Sequence, residues 1–313
     1  MRVLLLRLTI LLLCIASFLG CHTDATTDIK GSSVLKVSIE KTRTSLGEKV
    51  GNTYPVYWSE GDRIVVNGRV SGEAQIVSDK SVVANFAIGE SLRFPYYVTY
   101  PYCSATTAER PAVVFPAEQS YVEGSYDKGA APMCGYADNG QTISLRHLST
   151  ILRLPVKSNL GGVTLERVVI TSSAAIAGEF AVDCLEGRVS AAEGATNVVT
   201  YTVNQPLSKE KETVLYIALP AVEAGVCSVE FFDSEGGRMR ATWSCGALTA
   251  GVVREVKTIS YKSGDSTVLN EWKVDSDVIL TPRTAYGYVR TKTGEPIKGV
   301  AVSDGFTVTT TDE

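Results

Sequence analysis

The chain has 313 residues, with 30 Lys and Arg against 34 Asp and Glu and a formal net charge of −4. That balance, without any Lys/Arg stripe interleaved with aromatics, argues against nucleic acid as a partner. The length is enough for two domains, each with its own core.

The first element is a leader. Arg2 and Arg7 give a basic start, Leu8 to Phe18 form an apolar run, and Gly20 stands directly before Cys21. Residues 1–20 therefore read as a signal peptide ending in a lipobox, and Cys21 is expected to become the lipid-bearing first residue of the mature chain. A membrane anchor is the competing reading. Only about 13 residues separate Arg7 from Cys21, against the roughly 20 a spanning helix needs. The membrane is thus the first partner expected, reached through the lipid on Cys21. Residues 21–33 are small and polar and read as a tether.

Beyond the tether the pattern is β throughout. Leu35, Val37 and Ile39 alternate with Lys36, Ser38 and Glu40, the period of a half-buried strand. Glu60-Gly61-Asp62 reads as a turn, Arg63 to Val66 as a strand, and Asn67-Gly68 as a two-residue hairpin turn. Further β-rich runs include 82–86, 96–100, 142–148, 151–156, 198–203 and 214–219, closely punctuated by Gly, Pro, Asn and Asp. Only a turn or so between Arg146 and Leu152 suggests a helical period. Many short strands between frequent turns define an all-β chain of sandwiches or barrels. Interruptions at 158–162 and in the polar stretch 263–282 divide it into a first β-sandwich at 34–157, a second at 158–262, a linker at 263–282 and a C-terminal piece at 283–313.

Of seven cysteines, Cys14 lies in the leader and Cys21 carries the lipid, leaving Cys103, Cys134, Cys184, Cys227 and Cys245. That remainder is odd and includes no C-x-x-C pair, so neither a zinc site nor a complete disulfide framework is expected. Strands at 226–232 and 238–245 flank Ser234-Glu235-Gly236-Gly237. A three-residue loop, Glu235 to Gly237, would set Ser234 opposite Arg238 and Cys227 opposite Cys245, close enough for a disulfide. A two-residue loop would point the sulfurs to opposite faces. A Cys227–Cys245 bridge and two buried free thiols both stay open.

Several stretches resemble a known family. Thr42-Arg43-Thr44 with Trp58-Ser59-Glu60-Gly61-Asp62-Arg63-Ile64 looks like the start of fimbrillin-like lipoproteins of Bacteroides and its relatives. Pro116-Ala117-Glu118-Gln119-Ser120-Tyr121, then Gly124-Ser125-Tyr126-Asp127 and Pro132-Met133, are similar to their mid-domain segment. Leu145 to Leu152 resembles the strand-helix-strand passage that closes their first domain, and Leu248-Thr249-Ala250-Gly251 precedes a last strand as it does there. The resemblance spans about residues 34–262. It implies two transthyretin-like, Greek-key β-sandwiches in tandem on an outer-membrane lipid anchor, facing the periplasm or the cell surface. It also places Arg43 near the arginine at which fimbrial members are cut before strand exchange, although no compact cleavage motif surrounds it. Asp265-Ser266-Thr267 fits the short pattern that such bacteria O-glycosylate, which makes Ser266 a candidate acceptor. In the tail, Tyr286-Gly287-Tyr288-Val289 and the stretch from Gly294 to Gly305 resemble the opening of a carboxypeptidase-regulatory-type β-domain, one that precedes calcineurin-like phosphoesterases in such bacteria. Residues 283–313 would then be an incomplete third β-domain.

Chemistry-bearing constellations are sparse. His22 and His147 are the only histidines. His22 is in the tether, and His147 would need a nucleophile and an orienting carboxylate, with a backbone-bonded structural histidine as the plainer reading. Glu60-Gly61-Asp62 and Asp275-Ser276-Asp277 lack the ligand density of a calcium loop. Trp58, Trp243 and Trp272 are candidate sugar platforms, against the plainer reading of core positions. No P-loop, G-x-G-x-x-G or H-E-x-x-H stretch occurs, and no cofactor is expected. The expected function is a non-catalytic surface lipoprotein module for adhesion, assembly or binding of a protein or glycan ligand. The alternative is the membrane-proximal front of a secreted metallophosphoesterase with its catalytic domain beyond Glu313.

Overall fold

The computed structural model describes residues 33–39, 45–46, 54–140, 142–158, 162–271, 278–279, 289–293, 295–303 and 308–310. Cys21, the tether up to residue 32, Arg43, Trp272 and Asp275-Ser276-Asp277 lie outside the described residues, as do 283–288, 294, 304–307 and 311–313 of the C-terminal piece. Every regular element among the described residues is a β-strand, so the chain is all-β, as its sequence pattern requires.

The alternation of Leu35, Val37 and Ile39 does what its period predicts. All three are buried on one face of Ser33–Ile39. This strand pairs in parallel with Thr142–His147 on one side and antiparallel with Val83–Ile88 on the other. It belongs to a seven-stranded sheet ordered Arg69–Val70, Val65–Val66, Tyr96–Tyr100, Met133–Ala137, Thr142–His147, Ser33–Ile39 and Val83–Ile88. Asn67 and Gly68 take φ of 49° and 76°, the left-handed values that a two-residue hairpin between right-twisted strands demands. Residues 72–75 then carry the chain from one end of the sheet to the other. Gly72 donates to Ala87 O at 2.8 Å and Gln75 bridges Asn85. The sheet thus curls around its own core, in which Trp58 meets Phe86 and Tyr100 edge-on, with centroids 4.9 and 5.5 Å away.

The second core lies between two sheets. A six-stranded sheet runs Ser266–Val268, Arg238–Ala247, Glu223–Asp233, Thr164–Ser172, Val198–Pro206 and Glu118–Ser120. A five-stranded sheet is built on Ser149–Ser158, flanked by Thr213–Pro220, Val252–Glu255 and Ile259–Tyr261, with Val278–Ile279 outermost. Their facing sides share one apolar cluster that includes Leu154, Val168, Tyr201, Ile217, Phe231 and Trp243.

Three sequence expectations need correction. Leu145 to Leu152 holds no helical turn. Thr142–His147 and Ser149–Ser158 are consecutive strands with only Leu148 between them. Leu148 N–H donates to Pro132 O and Leu148 O accepts from Ala221 N–H, so the backbone passes straight from one sheet into the next. The changeover therefore comes at Leu148, ahead of the interruption at 158–162 where the sequence pattern sets it. Secondly, Ala112–Phe115 and Glu118–Ser120, from the expected first sandwich, pair with Gly178–Asp183 and Val198–Pro206. Finally, the first part of the expected linker is packed structure. Ser266–Val268 extends the six-stranded sheet, Leu269 enters the core, and Glu271 binds Arg254 through two contacts of 2.6 and 2.9 Å.

These crossings weld the two halves at two places. Tyr54, Val56, Tyr126 and Ala130 cover the outer face of the five-stranded sheet around Ile151, Tyr216 and Val253. Val113, Phe115 and Phe180 pack with Cys134 and Cys184 against the outer face of the seven-stranded sheet. This double cover explains why Ser149–Ser158 is buried on nearly every residue instead of alternating.

Candidate functional site

Each candidate side chain was placed by its strand. His147 ends Thr142–His147 opposite Met133 and is 4% exposed. Neither ring nitrogen has a hydrogen-bond partner among the described residues, so the expected backbone bond is not made. Burial alone pushes the imidazole down to about 3 from an ordinary value of 6.5. A neutral ring sealed from solvent has no path for a proton to or from a substrate, so His147 is not placed to act as a general base.

The Asp62 and Asp233 carboxylates serve the fold. Asp62 accepts from Ser59 N–H at 2.7 Å and from Tyr100 O–H at 3.0 Å, with Lys128 Nζ 3.3 Å away. Asp233 accepts from the Glu235 and Gly237 amides at 3.0 and 2.6 Å and from Tyr261 O–H at 2.7 Å. It thereby ties the hairpin of one sheet to Ile259–Tyr261 of the other. Burial, with Asp233 alongside, pushes the Tyr261 phenol up. Asp233→Ala would leave these donors unpaired inside the protein, and an equilibrium urea melt should read a loss of roughly 3 kcal/mol.

Trp58 and Trp243 are 1% and 0% exposed and are core residues, unable to stack on a sugar. Trp243 Nε1 donates to Glu271 Oε1 at 2.9 Å, and the Arg254 guanidinium that clasps Glu271 also reaches Cys245 O and Ala247 O. This clamp closes one side of the sandwich. Gln119 closes the other. Its side-chain amide donates to Ala218 O at 2.9 Å and accepts from Ala218 N–H at 3.1 Å, filling the free edge of Thr213–Pro220 as a neighbouring strand would. Nothing in the sequence signals it, because Gln119 stands between the equally polar Glu118 and Ser120 and only its burial sets it apart.

The sulfurs of Cys227 and Cys245 lie 3.4 Å apart as free thiols. Their register differs from the expected one. Asp233 N–H donates to Gly237 O and Phe232 faces Arg238, so the loop is 234–236 and Cys227 faces Trp243. A register irregularity between Gly225 and Val226 accompanies the approach of Cys245 across the diagonal. Ser266 is exposed on the edge strand, at the rim of a surface groove of about 420 Å³ that Ser260, Asp265, Thr267 and Asn270 also line. A shallower hollow of about 280 Å³ holds Asp62, Tyr100, Tyr102 and Lys128. Tyr102 is half-exposed there, while the Asp62 floor is already satisfied from within.

The sequence matches no family model and no curated protein. Solved structures give the likeness. A candidate cell adhesion protein from Bacteroides ovatus superposes with a TM-score of 0.52 at 14% identity, over 78% of this chain and 97% of that one. A second such protein, from Bacteroides uniformis, gives 0.45 at 17% identity over 74% and 94%. The tip fimbrial protein of Porphyromonas gingivalis, C-terminally truncated, gives 0.35 at 7% identity over 74% and 97%. Only the first is close enough to compare architecture. It shows that this chain shares the all-β sandwich fold of that structure.

Proposed function

We propose that the chain is a non-catalytic, fimbrillin-like surface lipoprotein, whose β-sandwiches serve adhesion or assembly on an outer membrane to which Cys21 anchors them. The observation that carries this reading is the fold shared with the Bacteroides ovatus structure, named as a candidate cell adhesion protein, over nearly its whole length. The burial of His147 supports it, because the sole histidine of the folded body is withheld from chemistry. The ligand class is a protein or glycan displayed on another surface.

A solid-phase screen of the purified full-length chain against extracellular matrix proteins, mucins and glycans tests the reading. Saturable binding to one of them, or concentration-dependent self-association, is expected. Monomeric behaviour with no binding across the panel would count against it. The anchor has its own test. Cys21→Ala should move the chain from the detergent-rich to the aqueous phase in a cloud-point partition, and an unchanged distribution would refute lipidation. Ser266 is proposed as an O-glycan acceptor, its exposed edge-strand position leaving room for a sugar. Ser266→Ala should then remove the hexose mass from the native protein, and an intact mass without hexose in the unsubstituted chain would refute the assignment.

A further inference from the structure

The five cysteines of the body are odd in number, but their placement sorts them. Cys134 lies on Met133–Ala137 of the seven-stranded sheet, and Cys184 directly follows Gly178–Asp183 of the hairpin that covers it. Both are buried in the same apolar cluster at the weld between the two halves. Cys184 Sγ lies 3.7 Å from Val98 O, and Cys134 in the same cluster pushes the Cys184 thiol up. Val98 pairs with Gly135, and Thr99 with Cys134, so the Cys184 sulfur rests over the Cys134 position of the sheet. Separately, the Cys227 and Cys245 sulfurs stand 3.4 Å apart, with Cys245 Sγ also 3.3 Å from Gly225 O. Cys103 belongs to neither cluster. It is buried in a turn in which Thr106 N–H donates to its carbonyl.

We propose that the chain closes two disulfides, Cys134–Cys184 and Cys227–Cys245, and keeps Cys103 as a free thiol. The first fastens the seven-stranded sheet to the hairpin packed on it, across about fifty residues of chain, the geometry in which a crosslink most restricts the unfolded state. The second fastens two adjacent strands beside the Arg254–Glu271 clamp. For this second pair, a bond of about 2.05 Å requires the sulfurs to close by roughly 1.4 Å, within reach of side-chain rotation.

Each closure removes two protons and two electrons. A thiolate of the pair attacks an oxidant disulfide and expels one of its thiols, and the partner thiolate then attacks the protein sulfur of the resulting mixed disulfide and expels the second thiol. In the folded chain the Cys134 thiol, together with burial, pushes the Cys184 thiol up, and burial raises Cys245 to about 12, which lowers the thiolate population that exchange needs. Closure therefore belongs to folding, before the clusters seal.

The full-length chain, reduced and unfolded, is refolded in a buffer of reduced and oxidised glutathione, then alkylated with N-ethylmaleimide in denaturant and mapped by peptide mass spectrometry. Linked peptides joining 134 to 184 and 227 to 245 are expected, with Cys103 carrying the label. Cys184→Ser should convert Cys134 from essentially unlabelled to essentially fully labelled while leaving 227–245 linked, and Cys245→Ser should do the same for Cys227 alone. Label on all four cysteines, or any other pairing, overturns the proposal. Label on one pair only overturns that pair. The mapping of the unsubstituted chain stands even if a variant fails to fold.

Discussion

Gln119→Leu is expected to destabilise the chain by roughly 2–4 kcal/mol, with a matching fall in the urea midpoint. The substitution keeps a bulky side chain at a buried position but removes both bonds to Ala218, leaving a buried N–H and a buried carbonyl unpaired at about 1–3 kcal/mol each. Gln119→Glu separates the hydrogen bonds from simple packing. At neutral pH the ionised carboxylate would be buried against Ala218 O without a donor to offer, and the variant should be worse than Leu. When protonated, the same side chain can donate to Ala218 O while accepting from Ala218 N–H. Measured against the unsubstituted chain at each pH, Gln119→Glu should therefore recover stability as pH falls, while Gln119→Leu should not. A Glu variant whose deficit is constant with pH would contradict the edge-filling role.

Acidification should unfold the unsubstituted chain through His147. Its folded-state value is pushed down to about 3, and its ordinary value is 6.5. Between these values the unfolded chain binds a proton that the folded chain refuses. Stability is therefore complete above about 6.5, falls by about 1.4 kcal/mol per pH unit below it, and levels off near 3. His147→Leu removes this contribution. Near pH 7 the variant should lie within about 1 kcal/mol of the unsubstituted chain, because the buried ring nitrogens make no bonds that leucine would lose. Towards pH 4 the variant should become the more stable of the two. Parallel pH profiles for both proteins would show that His147 takes up its proton in the folded state.

Much of the fold is legible in local sequence because its signals are local. Asn67-Gly68 fixes a hairpin through two left-handed residues, and Leu35, Val37 and Ile39 mark a strand with one buried face. The passage at Leu148 is not legible. Ser149–Ser158 is covered on both faces, so its apolar residues lose the period of two and imitate part of a helix. The exchange of Ala112–Phe115 and Glu118–Ser120 into the second half is invisible for another reason. It is decided by pairing with strands more than sixty residues further along the chain. The same holds for Gln119, whose partner is separated from it by 99 residues. At Cys227 and Cys245, a loop placed one residue too late displaced the register by two. That shift preserved the face while changing the neighbours.

Adherence by cells that carry or lack this chain tests its proposed role most directly. An in-frame deletion is compared with strains restored by the unsubstituted chain and by Cys21→Ala, scoring attachment to host cells and to one another. The account predicts that deletion reduces attachment, that the unsubstituted chain restores it, and that Cys21→Ala does not. Undiminished attachment in the deletion strain, with the chain confirmed on the surface of the parent cells, would contradict it.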